Sequence, residues 1–365
     1  MDKTLYRRPL PADTIAFSSP DGQQVFKEAL ALGGLGGYFQ LAEQFHTQSD
    51  PSFCGLGSLV VALNALAIDP GRLWKGPWRW FSEELLDCCV SLPEVRARGL
   101  DIDELTCLAR CNGADAELAR ADSSDLATFR SSIATAVTGE TVIIASYDRA
   151  AMNQTGSGHF SPIGGYHSTR DLVLVLDVAR FKYPPHWVSA EQLWHAMKSE
   201  DPATGRARGW ITLRRRNQGI ALGFSLQCDG DSWQGLANRT TAAVTDLQRA
   251  EDLDSLIRAV EPLAAHLELR APGADAHQDA LTSARATLQS VAAYPLVVDA
   301  VGRERAEMVT ILLLAINDLL LPRQRSIFGE LTTGPNDNAA FACEVNNVRA
   351  QLAAMWKHSR QETMT

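Results

Sequence analysis

Leu56, Leu59, Val60, Leu63 and Leu66 recur at three-and-four spacing directly after Pro51-Ser52-Phe53-Cys54-Gly55. That repeat demands a helix with a buried face. Pro51 favours a turn or the first helical turn, so Cys54 is expected near the helix N-terminus. There the positive end of the backbone dipole stabilises a thiolate and lowers the thiol pKa. A cysteine so placed is either a reactive nucleophile or a small buried hydrophobe, and its surroundings decide between them.

A thiolate attacking an amide needs a base to handle its proton and donors for the developing oxyanion. Gln48, six residues upstream of Cys54, offers a side-chain donor. His159 in Thr155-Gly156-Ser157-Gly158-His159-Phe160 offers the base. The run Asp171 to Arg180 is rich in β-branched residues and reads as a buried strand, with His167-Ser168-Thr169-Arg170 as the turn before it. Residue 168 is the midpoint of His159 and Asp177, so an antiparallel hairpin sets the two nearly opposite, a slip of two being tolerated. Asp177 would then orient the imidazole and stabilise its protonated form.

Residues 22–47 and much of 82–137 read as helical, with a glycine break at 33–37. Strands are expected at Thr141–Tyr147, Phe160–Tyr166, Leu172–Val178 and Trp210–Arg214. Helices first and antiparallel strands afterwards is an α+β layout with a cleft between lobes. From about residue 217 the texture turns to Ala-, Leu- and Glu-rich helical segments at 241–267, 276–293, 299–321 and 338–360. A chain of 365 residues that is 45% hydrophobic supports two domains, drawn at 1–216 and 217–365.

Tyr6-Arg7-Arg8-Pro9-Leu10, Gln44-Phe45-His46-Thr47-Gln48-Ser49, Phe53-Cys54-Gly55-Leu56-Gly57, Trp74-Lys75-Gly76-Pro77-Trp78-Arg79-Trp80, Gly158-His159-Phe160-Ser161-Pro162-Ile163-Gly164-Gly165-Tyr166 and Asp177-Val178-Ala179-Arg180-Phe181-Lys182-Tyr183 occur in one order. Together they resemble phytochelatin synthase over about residues 5–216. The resemblance implies a papain-like two-lobed catalytic domain followed by a mostly helical region. It also implies a transpeptidase in which Cys54 cleaves the Cys-Gly bond of glutathione through a γ-glutamylcysteinyl thioester. The acyl group then passes to a second glutathione or a phytochelatin peptide. His159 and Asp177 would complete a triad, and Gln48 would supply an oxyanion donor. Asp201 would take the substrate ammonium and Arg208 its carboxylate, with Arg206 as the substitute for Arg208. Arg149 and Lys182 would line the acceptor site. No fixed cofactor or resident metal is implied: a heavy-metal ion such as cadmium or zinc would enter as the glutathione thiolate complex or as an activator. Without a good acceptor site the same residues would give a glutathione or glutathione S-conjugate hydrolase.

The net charge of −9 argues against a general nucleic-acid or membrane-surface binder. The longest apolar run, Ile311 to Ile316, is too short to span a bilayer. Seven cysteines, an odd number, and an opening Met1-Asp2-Lys3-Thr4 without an apolar core point to a reducing, cytoplasmic setting. Cys88, Cys89, Cys107 and Cys111 are expected to be structural or weakly metal-sensing thiols, since no paired Cys-x-x-Cys pattern occurs. A thiol metal buffer would need clustered cysteines, which this chain lacks. The expected partners are glutathione and its peptides, with the chain acting alone or as a homodimer.

Overall fold

The computed structural model describes residues 5–70, 74–87, 90–215, 224–226, 233–269, 275–328, 338 and part of 341–356. Its centre is a seven-stranded antiparallel sheet. The strands are β1 (Ile15–Ala16), β2 (Ala114–Arg120), β3 (Thr141–Asp148), β4 (Gly158–His167), β5 (Leu172–Val175), β6 (His186–Ser189) and β9 (Gly209–Arg215), in the order β1-β6-β5-β4-β3-β9-β2. Between β6 and β9 the short strands β7 (Glu200–Asp201) and β8 (Arg206–Ala207) form their own hairpin.

Both faces of the sheet are covered, which is why β3 reads as a nearly unbroken apolar run. Successive side chains of a strand point to opposite faces. Val142 and Ile144 accordingly join the cluster built on α1 (Pro20–Ala31), α2 (Tyr38–Ala42), α3 (Cys54–Ala65), α4 (Leu92–Arg98) and α5 (Ile102–Cys111). Ile143, Ala145 and Tyr147 join the other cluster, against α6 (Leu126–Ala136) and α7 (Ala190–Met197).

The helix predicted after Cys54 is α3, and it is buried all round: every residue from Gly55 to Ala65 lies inside. A helix apolar on all sides belongs at the centre of a core. Its polar Asn64 is satisfied by a reciprocal pair with Phe81, whose N–H donates to Oδ1 at 3.2 Å while Nδ2 donates to the Phe81 carbonyl at 3.0 Å. α5 begins with a capping box between Asp101 and Glu104.

Two expectations are corrected. Residues 114–120, inside the span read as mostly helical, form β2, an edge strand whose helix-forming Ala, Glu and Leu are overridden by pairing with β9 from Ala114↔Arg215 to Arg120↔Gly209. The strand expected to reach Val178 ends at Val175. The β4–β5 register is offset from the midpoint at residue 168: Tyr166 pairs with Val173, and a bulge shifts the ladder to Ile163↔Val175, within the tolerated slip of two.

Beyond residue 223 lies a mostly helical region. It comprises α8 (Trp233–Arg249), α9 (Leu253–Ala264), α10 (Asp275–Ser290), α11 (Ala293–Val301), α12 (Arg303–Ala315) and α13 (Pro322–Phe328), plus the hairpin β10 (Phe224–Leu226) with β11 (Leu267–Leu269). The helix expected over 241–267 is two helices, because Asp252 caps α9 through the Ser255 N–H. Of 338–360 only part is described, and what is described between 341 and 356 is helical. One contiguous set of buried residues runs from α3 and α5 into α8, α9 and α12. Among the described residues no helix is long and apolar enough to cross a membrane.

Candidate functional site

Cys54 is the first residue of α3 and is half-buried. The turn before it is closed locally. Asp50 accepts from the Ser52 N–H at 3.1 Å and the Ser52 hydroxyl at 2.8 Å, and the Phe53 N–H donates to the Asp50 carbonyl at 3.0 Å. The Asp-Pro-Ser sequence thus favours a tight turn that feeds the helix.

His159 stands on β4 opposite Tyr147 of β3, the rings meeting edge to face at 5.7 Å. Its Nε2–H donates to Asp177 Oδ1 at 2.9 Å. The His159 imidazole and the Phe160 N–H lie close enough to the Cys54 sulfur to act on its ionisation. Asp177 lies two residues past the end of β5, so the imidazole and carboxylate meet through their side chains rather than as a ladder pair.

Asp177 has no exposed surface, and all its partners are donors. Besides His159 it accepts from the Ala179 N–H at 2.9 Å and, through both oxygens, from Arg149 Nη2 at 3.0 and 2.7 Å. Burial pushes its carboxyl up, but the His159 and Arg149 cations hold it well below the usual carboxylate range. Burial likewise pushes the His159 imidazolium down, and the Asp177 carboxylate outweighs this, leaving the histidine raised. Burial pushes the Cys54 thiol up, while the His159 charge and hydrogen bond, the Phe160 N–H and Arg149 bring it below its ordinary value. The two shifts together favour a thiolate beside an imidazolium.

The sign of the pH dependence follows. The thiolate is present above the lowered Cys54 value, and the imidazolium below the raised His159 value. Alkylation of Cys54 by iodoacetamide should therefore set in below the ordinary cysteine value of about 8.5 and hold at alkaline pH. A reaction that also needs the imidazolium proton should fall again as pH rises through the His159 value. Alkylation that sets in only near the ordinary value would contradict the pairing.

Gln48 is tied to the base side of the site, its N–H donating to the Val178 carbonyl at 3.0 Å. Its side-chain Nε2 donates to the carbonyls of Asp50 at 2.8 Å and Pro51 at 3.0 Å, and Oε1 is buried with no partner among the described residues.

Arg149, expected to line an acceptor site, is 2% exposed and committed at both ends. Nη2 holds Asp177, Nη1 donates to Gln154 Oε1, and the guanidinium lies over the Tyr183 ring at 5.1 Å. Gln154 Nε2 in turn donates to His186 Nε2 at 3.1 Å, while His186 Nδ1–H donates to the Pro184 carbonyl at 3.0 Å. Arg149 thus braces the Asp177 carboxylate through Nη2. Lys182 is different: it is partly exposed, its ammonium beside Gly156, and burial and Arg149 together push its pKa down.

Asp201 and Arg208 are both buried and pair with each other, Nη1 donating to Oδ2 at 2.8 Å. The guanidinium lies flat against Gly158, where a Cβ would come within 2.7 Å of Nη1, so the pair abuts the residue before His159. Arg208 Nε has no partner among the described residues. Arg206, the substitute, sits farther out beside Asp122. Cys107 and Cys111 are buried on α5 with sulfurs 3.9 Å apart, whereas Cys88, Cys89, Cys228 and Cys343 lie outside the described side chains. A cavity of about 270 Å³ is lined by Tyr38, His46, Leu176, Val178 and Arg180 but not by Asp177.

Gln154, His186 and Tyr147 escaped the sequence reading. Gln154 stands one residue before the quoted glycine-rich motif, but nothing local says that its amide bridges a guanidinium and an imidazole.

The general class is an antiparallel α+β fold in which a buried His159–Asp177 pair stands near a cysteine at a helix start. Residues 5–210 match the family model for phytochelatin synthase. The chain belongs to that family. It is 47% identical over 269 residues to glutathione gamma-glutamylcysteinyltransferase 1 of Triticum aestivum, covering 72% of this chain and 54% of the relative. With glutathione gamma-glutamylcysteinyltransferase 1 of Arabidopsis thaliana the identity is 47% over 255 residues, 69% of this chain and 53% of the relative. With the Schizosaccharomyces pombe glutathione gamma-glutamylcysteinyltransferase it is 38% over 262 residues, 71% of this chain and 63% of the relative. The chain thus spans about half the length of most of the curated relatives it matches.

Proposed function

We propose that the chain is a cysteine acyltransferase that uses glutathione as donor. The observation that carries this reading is the series Cys54, His159 and Asp177 at the start of a buried helix, in a chain of this family. Cys54 Sγ attacks the carbonyl carbon of the Cys-Gly bond. As the C–N bond breaks, the His159 imidazolium gives its proton to the leaving glycine nitrogen, leaving a γ-glutamylcysteinyl thioester on Cys54. The amine of a second glutathione or a phytochelatin peptide then attacks the thioester, its proton passes to His159, and the thiolate leaves. Asp177 holds the imidazole in the tautomer that presents its other nitrogen to sulfur.

The oxyanion of each tetrahedral intermediate would be met by the Cys54 backbone N–H and by Gln48 Nε2. An amide carries two protons, and Gln48 Nε2 donates to the Asp50 and Pro51 carbonyls, so one of these bonds would give way to the oxyanion. Asp201 would take the γ-glutamyl ammonium, and the open edge of Arg208 the α-carboxylate. Lys182 is the cation left for the anionic acceptor, a metal-bound glutathione thiolate. A cadmium or zinc ion is in this reading part of the substrate.

The withdrawal of Arg149 behind Asp177 favours keeping a second reading, in which water resolves the thioester and the enzyme is a glutathione or S-conjugate hydrolase. Incubating the protein with glutathione and cadmium decides between them. Mass spectrometry is expected to show γ-glutamylcysteine oligomers rising as glycine is released. Glycine release without oligomers would establish the hydrolase, and no glycine release would reject both.

A further inference from the structure

We propose that Glu83 is a positioning residue that clamps the Gln48 loop to the nucleophile's helix. Glu83 opens a short 3-10 turn, Glu83–Leu85, and is 5% exposed although it is followed by the exposed Glu84. Its carboxylate straddles the Ser49 N–H at 3.2 and 3.1 Å, accepts from the Ser49 hydroxyl, and bonds His46 Nε2 at 3.0 Å. The residues held are those flanking Gln48. A buried carboxylate is costly unless its oxygens are filled, and here the loop supplies the donors.

The other side of the clamp is α3 itself. A Cβ at Gly57 would come within 3.1 Å of Glu83 Oε1, 3.2 Å of Gln48 Cβ and 3.4 Å of His46 Cδ2, so a larger residue would press on the loop that the first turn of α3 lies under. The backbone carrying Glu83 is pinned to the same helix by the reciprocal Asn64–Phe81 pair. Gln48 is therefore held between two anchors: the Val178 carbonyl, next to Asp177, and the Glu83 carboxylate, which moves with Cys54. Such an arrangement sets the distance between the two oxyanion donors, the Cys54 N–H and Gln48 Nε2. Placement of these donors matters because one of them is worth about 10²- to 10³-fold in rate.

The inference rests on the proposed thioester chemistry, and its test separates the two. In Glu83→Leu the turnover number for glycine release is expected to fall about 10- to 100-fold with KM within about threefold, since Glu83 acts on the transition state through Gln48. The rate of Cys54 alkylation by iodoacetamide, which needs the thiolate but no oxyanion donor, should stay within about twofold. Glu83→Gln keeps one acceptor oxygen but turns an amino group on Ser49 or His46, and should lose about 3- to 10-fold. Hydrogen exchange reads the clamp without substrate: the Ser49 amide should exchange at least about tenfold faster in either variant while the amides of 57–65 are unchanged. Should Glu83→Leu not fold, Glu83→Gln decides alone. Unchanged Ser49 protection, a turnover number within twofold of the parent, or alkylation falling in step with turnover would each overturn the clamp. A parent enzyme that releases no glycine would overturn the functional reading instead, and the exchange result would still judge the clamp.

Discussion

Replacing Cys54 with serine is expected to leave the fold intact and to lower glycine release from glutathione by at least about 10³-fold. The cause is ionisation. The Cys54 thiol is held below its ordinary value by the His159 charge against the opposing cost of burial, so it ionises at lower pH than a free cysteine does. A hydroxyl is so much weaker an acid that the same imidazole cannot keep it ionised. Serine is nearly isosteric and the site is half-buried, so the melting temperature should move by no more than about 2 °C. Intact-protein mass spectrometry after brief exposure to glutathione should show a γ-glutamylcysteinyl adduct on the parent and none on Cys54→Ser. A serine variant that keeps a tenth of the activity would mean that the acyl group travels by another route.

Arg149→Met should be the more damaging change for stability. Removing one partner of a buried ion pair strands the other charge, at a cost of about 3–5 kcal/mol, or roughly 10 °C in melting temperature for a region of this size. Asp177 would keep only His159 and the Ala179 N–H, and Gln154 would lose the donor that orients it toward His186. The acid limb of stability should move as well. A carboxyl held below its unfolded value contributes stability that is present above about pH 4 and lost as pH falls through the folded value. With Arg149 gone the folded value rises, so acid unfolding should begin at higher pH. Circular dichroism melts across pH 3–7 read both effects. A variant with the parent's acid limb but weakened acceptor use would restore Arg149 to the acceptor site.

Most of the candidate site was legible as residue types before any coordinates. The Cys54 helix start could be read because a proline turn and a three-and-four apolar repeat are local signals. The strands at 141–147 and 160–166 were legible because burial on both faces leaves continuous apolar runs. β2 was not, because Ala114–Arg120 has the composition of a helix and becomes a strand through its neighbour β9. The hairpin brought His159 and Asp177 together as expected, though not by the expected route, since the bulge beside Gly164 shifts the register and Asp177 reaches the imidazole from beyond the strand end.

Charged residues divide the two kinds of knowledge most clearly. From sequence, Arg149 and Lys182 were equivalent cations, and nothing separates Glu83 from its neighbour Glu84. In the folded chain Arg149 is sealed behind Asp177 while Lys182 keeps part of its surface, and Glu83 is buried under the Gln48 loop while Glu84 faces solvent. The chain's central helix and its family follow from local pattern and residue type, because backbone propensity and apolar spacing act over a few residues. Which charges serve substrate and which serve scaffold depends on burial and on partners far along the chain, since desolvation and ion pairing are properties of three-dimensional neighbourhood.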